Sequence, residues 1–252
     1  MRQRRIPDLT GRVALVTGGS RGIGAATATA LAGAGARVAI LYRSDADAAV
    51  RVVDEIRGMG EDALAVRCDV ADETEVARAF DQVRDTFGSV EVLITNAGIH
   101  RGGRTERLAV DDFRAVIDTN LLGAFLCCRA ALPDMRRASW GRIVTVGSVV
   151  GLVGFPGDVA YASSKAALGG LTRALAVECA TDGITVNLVA PGFVETDMTR
   201  GLSDAARARI EASVPMRRQG RGEEIAAMIV AVAASPYTTG STLVVDGGHV
   251  IA

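Results

Sequence analysis

The sequence predicts an α/β fold: one doubly wound domain over residues 1–252, with about seven parallel strands and helices on both faces. Three observations predict it. Short runs that are apolar on both faces alternate with helical segments along the chain, the pattern of a parallel sheet covered on both sides. A glycine-rich stretch, TGGSRGIG (17–24), falls between the first such run and the first helix. No linker-like stretch, internal repeat or low-complexity segment divides the 252 residues, which suffice for a sizeable core.

The elements follow in order. RVALVTG (12–18) is a buried strand ending in glycine, and 22–36 is a helix of small residues stopping near Gly33 and Gly35. RVAILYR (37–43) is the second strand, and 45–60 an amphipathic helix with a glycine stop. Strand 62–70, helix 72–87 and strand 90–98 repeat the pattern. A long helix at 111–137 precedes GRIVTVGS (141–148), and a second, at 158–181, precedes GITVNLVAPG (183–192). Residues 196–214 read as helical but stand outside the alternation, before helix 222–234 and the final strand, STLVVDGG (241–248).

Composition narrows the function. A net charge of −1 gives no global basic field for nucleic acid or an anionic membrane. No uncharged apolar stretch reaches the roughly 18 residues of a membrane span. The N-terminal MRQRRIPDLTGRV, with its Arg2/Arg4/Arg5 cluster, lacks the apolar core of a signal peptide. Cys68, Cys127, Cys128 and Cys179 form no CxxC pair and no zinc spacing, so no metal site is expected. All four read as buried reduced thiols suited to the cytoplasm, with Cys127 and Cys128 pointing to different sides of their helix.

Glycines at 18, 19, 22 and 24 would let backbone N–H groups approach a pyrophosphate at a helix N-terminus, although a plain turn has the same composition. At the end of the second strand a carboxylate would hold the ribose of NAD, whereas arginine accommodates the extra phosphate of NADP. Here Tyr42 and Arg43 come first, no carboxylate appears before Asp45, and Arg21 adds a second guanidinium, which favours NADPH. A solvated Arg43 is the alternative.

Lys165 is the only lysine among 28 basic residues, four positions after Tyr161. That spacing puts both on one helix face. An adjacent ammonium favours the phenolate, so the tyrosine would act as an acid/base, a role in which arginine cannot replace the compact ammonium. A surface lysine is the competing reading. The three asparagines, Asn96, Asn120 and Asn187, sit at strand ends or in apolar surroundings, where capping and turn roles compete with function. Ser148 closes a strand at the carboxyl end, where open α/β sheets bind ligands, and its surroundings lack a hydrolase nucleophile elbow. His100 and His249 are the only histidines, and the sequence assigns neither a role.

TGGSRGIG, CDV (68–70), TNAG (95–98), Asn120, Ser148, YASSK (161–165) and VAPGFVETDM (189–198) occur in this order. By these motifs the chain resembles the short-chain dehydrogenase/reductase family over essentially its whole length, and within it is most similar to 3-oxoacyl-[acyl-carrier-protein] reductases. The resemblance implies a Rossmann-type domain, with Tyr161 as acid/base, Lys165 lowering its pKa and binding the nicotinamide ribose, Ser148 orienting a carbonyl, and Asn120 holding a proton-relay water. It also implies that Gly18, Gly19, Ser20, Arg21, Gly22, Ile23 and Gly24 wrap the pyrophosphate. Asp69 and Val70 would flank the adenine, and Asn96, Ala97 and Gly98 the cleft. Pro191, Gly192, Val194 and Thr196 would hold the nicotinamide end. A lid at about 193–215, pocket-shaping Phe155, Phe193, Met198 and Leu202, and a homotetramer built on the two long helices, with Gly169 and Gly170 allowing close packing, are further implications.

Two departures stand out. Thr95 replaces the first asparagine of the family's NNAG and is expected to be tolerated. The turns closing the long helices, RRASWGR (136–142) and CATDGI (179–184), offer Arg136 and Arg137 to an acidic acyl-carrier protein, but Ser139 and Asp182 do not help. Carrier-free small ketones are therefore the alternative substrates. RRQGRGEE (217–224) is also basic and reads as a solvated loop.

Overall fold

A computed structural model describes residues 8–196 and 203–251. Seven strands form one sheet in the order β3-β2-β1-β4-β5-β6-β7, every neighbouring pair parallel. They are β1 (Val13–Thr17), β2 (Arg37–Tyr42), β3 (Ala63–Arg67), β4 (Val92–Thr95), β5 (Gly141–Val146), β6 (Ile184–Pro191) and β7 (Thr242–Val245). The helices are α1 (Gly22–Gly33), α2 (Ala46–Gly58), α3 (Glu73–Phe87), α4 (Val110–Ile117), α5 (Gly123–Arg137), α6 (Val150–Val153), α7 (Val159–Cys179), α8 (Asp204–Ser213) and α9 (Gly222–Ala233).

Side-chain alternation explains why the strands are apolar throughout. Ala14 and Val16 of β1 enter a core shared with Leu31 of α1, Ile56 of α2 and Ile229 of α9. Val13 and Leu15 face the opposite layer, with Phe80 of α3, Leu126 of α5 and Ala176 of α7. Cys127 and Cys128 both lie in that second layer but on different sides of their helix, Cys127 toward Cys68 and Cys128 toward Cys179. All four cysteines are buried and unpaired.

The long helix expected at 111–137 is not regular. Between α4 and α5 it opens into a π-helical turn, Asp118–Leu122, that carries Asn120. By length and mean hydropathy (1.5) the run Val110–Arg137 could cross a membrane, but 56% of that window is buried inside the molecule. The short helix α6 was not expected from sequence. At the amino edge of the sheet, Trp140 lies between the guanidinium groups of Arg12 (3.9 Å) and Arg142 (4.3 Å), and Arg12 pairs with Glu91. Several of the chain's arginines are thus structural.

The chain reverses direction through the sheet between β1 and β4, so the loops after their carboxyl ends separate. A crevice forms there, the usual ligand position in an open α/β sheet.

Candidate active site

A cavity of about 610 Å³ occupies that crevice. At one end stands the loop before α1. Gly18 has φ +62°, which other residues rarely adopt. Gly24 meets a different constraint: a Cβ there would lie 2.2 Å from the Gly18 carbonyl oxygen and 2.6 Å from Asn96 Nδ2. Asn96 fastens the arrangement, its Nδ2 donating to the carbonyls of Thr17 (3.0 Å) and Gly18 (3.1 Å). Thr17 Oγ1 in turn accepts from the N–H groups of Asn96 and Ala97.

The α1 N-terminus has no side-chain cap and no acidic residue in its first turn. Its first N–H groups are therefore left for an anion at the cavity wall, and the residues present fit a dinucleotide phosphate. Ser20, Arg21, Gly22 and Ile23 line the same wall, with Asp69, Val70, Ala97 and Gly98 beside them. Arg43 lies 3.8 Å from Asp69 and lines the cavity, and Asp45 beside it accepts from Ala48 N (3.0 Å), capping α2. Pro191, Gly192, Val194 and Thr196 line it too, with Thr196 Cγ2 close to Gly22.

Two expected contacts fall outside the cavity wall. Gly19 turns toward β2, where a Cβ would lie 2.6 Å from Ile40, so close packing requires glycine there. Asn120 sits just behind the wall, 1% exposed. Its Oδ1 accepts from Ile99 N (2.8 Å), and its Nδ2 donates to Ile99 O and Ser164 Oγ (both 3.0 Å). Thr95 takes the missing asparagine's place within β4, opposite Thr145, and its hydroxyl has no partner among the described residues.

Ser148, Tyr161 and Lys165 line this cavity together. β5 delivers Ser148 just past its last residue, and the first turns of α7 deliver the other two. Burial pushes the Tyr161 phenol up to about 12, a Ser148 hydrogen bond pulls it down, and the charge of Asp158 adds to the rise. Lys165 Nζ donates to Val146 O (2.8 Å) and stands 5.7 Å from the centre of the tyrosine ring. Burial brings Lys165 itself down to about 8. Dehydration is the main influence on the phenol, and it favours the protonated form.

Residues that sequence reasoning passed over complete the wall. His100 and Asp158 lie beside Tyr161, with His100 Nε2 2.7 Å from Asp158 Oδ1 and its ring edge-on to the phenol. The rarity argument applied to Lys165 and to asparagine would have flagged His100, two positions beyond TNAG, just as well. Ile210 and His249 also face the cavity, as do Phe155 and Phe193, which were expected to shape the pocket. Of the expected lid, α8 is described, whereas Met198 and Leu202 lie outside the described residues.

The profile of the short chain dehydrogenase family matches residues 12–207. A 3-oxoacyl-[acyl-carrier-protein] reductase of Synechocystis sp. is 44% identical over 246 residues, covering 96% of this chain and 98% of that protein. Carbonyl reductase family member 4 of Danio rerio is also 44% identical, over 94% and 97% of the two chains. Among solved structures, a variant of a Serratia marcescens short-chain dehydrogenase/reductase superposes with a TM-score of 0.90 at 38% identity, over 96% and 99% of the two chains.

Proposed function

The chain belongs to the short-chain dehydrogenase family, and on that premise we propose that it is an NADPH-dependent ketoreductase whose preferred substrate is a 3-oxoacyl thioester. It is an oxidoreductase acting on CH–OH and C=O groups, with a nicotinamide cofactor. The observation that carries the reading is the Tyr161 phenol, hydrogen-bonded to Ser148 inside the cavity with Lys165 buried beside it.

The bound cofactor would supply hydride to the carbonyl carbon. Tyr161 donates its proton to the carbonyl oxygen, and the Ser148 hydroxyl holds that oxygen in line. Lys165 stabilises the phenolate as it forms, which an ammonium does from a few ångströms in a dry site. Asn120 positions the α7 end of this set through Ser164, whose hydroxyl donates to the Tyr161 carbonyl (2.7 Å). Gly18, Gly22 and Gly24 shape the phosphate cradle. Arg43 and Arg21, with Asp45 capping α2, support NADPH over NADH.

A second substrate reading has its own observation. Arg136 donates to Glu178 (2.5 Å) and Asp182 (3.0 Å), and Arg137 pairs with Asp134. The cations that an acidic carrier protein would need are neutralised within the chain, and Arg218 is likewise taken by Glu224. This favours a small ketone free of any carrier. For assembly, Phe125 of α5 and Val177 of α7 are exposed, which supports a homotetramer through these helices. The buried thiols agree with a cytoplasmic setting.

The test is oxidation of NADPH, and of NADH as control, with acetoacetyl-CoA and with a simple activated ketone. Turnover of the thioester with NADPH is expected, and Tyr161→Phe should lower kcat by about 10²- to 10⁴-fold while still binding NADPH. Turnover of the plain ketone alone selects the carrier-free reading. No reduction of either would remove the ketoreductase assignment.

A further inference from the structure

We propose that His100, oriented by Asp158, recognises a second oxygen on the substrate, so that the enzyme selects ketones bearing a hydroxyl on the adjacent carbon or a carbonyl one carbon further on. This inference deepens the ketoreductase reading and rests on it.

The imidazole is held on three sides. Nε2 is 2.7 Å from Asp158 Oδ1, and an ionised carboxylate only accepts, so Nε2 carries the hydrogen. Asp158 stands at the N-terminus of α7, yet its side chain makes no capping bond there; the carboxylate goes to His100 instead. Gly102 packs beneath the ring, where a Cβ would lie 2.9 Å from His100 Cε1. The loops carrying the two residues are tied a second time by Gly103 N donating to Gly157 O (2.8 Å).

The ring meets Tyr161 edge to face, with centroids 5.4 Å apart and planes at 74°. It is therefore next door to the proton donor. Both His100 and Asp158 line the cavity, and no described residue bonds His100 Nδ1. A pinned imidazole with one nitrogen committed offers the other to a ligand. Neutral, Nδ1 accepts from a hydroxyl; protonated, it donates to a carbonyl oxygen. With the reacting carbonyl on Tyr161 and Ser148, the ring lies within reach of an oxygen one or two carbons away. Phe155 and Ile210 make the neighbouring wall apolar, so this pair supplies the discrimination. A site built to bond a substrate oxygen disfavours the analogue that lacks it.

Two near-isosteric ketone pairs test the idea: hydroxyacetone against 2-butanone, and ethyl acetoacetate against 2-heptanone, with saturating NADPH. The quantity read is the kcat/KM ratio within each pair, compared between the native enzyme and His100→Phe. Comparing ratios cancels the different intrinsic reactivities of the ketones. The ratio is expected to fall about 10-fold or more in His100→Phe and in Asp158→Ala, which releases the ring, and to be partly kept in His100→Gln. NADPH binding followed by fluorescence reports folding; should His100→Phe fail it, the Asp158→Ala and His100→Gln ratios decide. Ratios within about twofold of the native value in the folded variants, with the ketones still reduced, would overturn the role of His100 and leave the ketoreductase reading standing. No reduction of any of the four ketones by the native enzyme would overturn both.

Discussion

Burial of the single ammonium governs the pH behaviour expected of this protein. Lys165 falls from an ordinary 10.5 to about 8. Below pH 8 both folded and unfolded chains hold its proton, and folding must dehydrate a charged amine. Between about 8 and 10.5 the unfolded chain alone binds it, so stability rises with pH there, by up to about 3 kcal/mol in total. Tyr161, raised from 10.0 to about 12, acts in the other direction and later: its contribution is complete below pH 10 and is lost between 10 and 12. Urea midpoints against Lys165→Met from pH 7 to 10 check this, and the difference should move in favour of the native protein as pH rises. A difference that stays flat would mean that the lysine is not dehydrated. The same titration should lower kcat/KM for reduction above about pH 8, where Lys165 no longer supports the phenolate.

At the scale of elements, the cradle before α1 works through contact as much as through flexibility. Gly24→Ala would drive a methyl group into the Gly18 carbonyl and the Asn96 amide. The expected result is a loss of about 1–3 kcal/mol in stability and weaker NADPH binding, read by urea titration and fluorescence. Gly58→Ala, at the end of α2 where nothing lies within 4 Å, should be neutral to stabilising by up to about 1 kcal/mol and serves as the control. The strands and most helices were legible because two-faced apolar runs and glycine stops have local causes. The π-helical turn at Asp118–Leu122 was not legible, since Asn120 is placed by its bonds to Ile99 and Ser164, residues of other elements. Helix α6 was missed for a related reason: four residues carry too little periodicity, and its Gly151 packs against the backbone of Lys165 and Ala166.

Across the whole molecule, cofactor binding should show as stability, because a ligand held only by the folded state adds about 2.7 kcal/mol at a hundred times its Kd. For a chain of this size that is a rise of roughly 5–10 °C in Tm. NADPH should raise Tm more than NADH at equal concentration, and Arg43→Ala should shrink the gap; equal shifts in the native protein would remove the case for NADPH. The sequence by itself determined the alternation, the glycine-rich loop and the placing of Tyr161 and Lys165 on one helix, because each follows from neighbours within a turn or a strand. Tertiary structure decided what those groups experience. It set Gly19 against Ile40, buried Asn120, dehydrated Tyr161 and Lys165, and brought His100 to Asp158 across 58 positions. Dehydration and long-range contacts depend on everything that packs around a residue, and no local spacing encodes them.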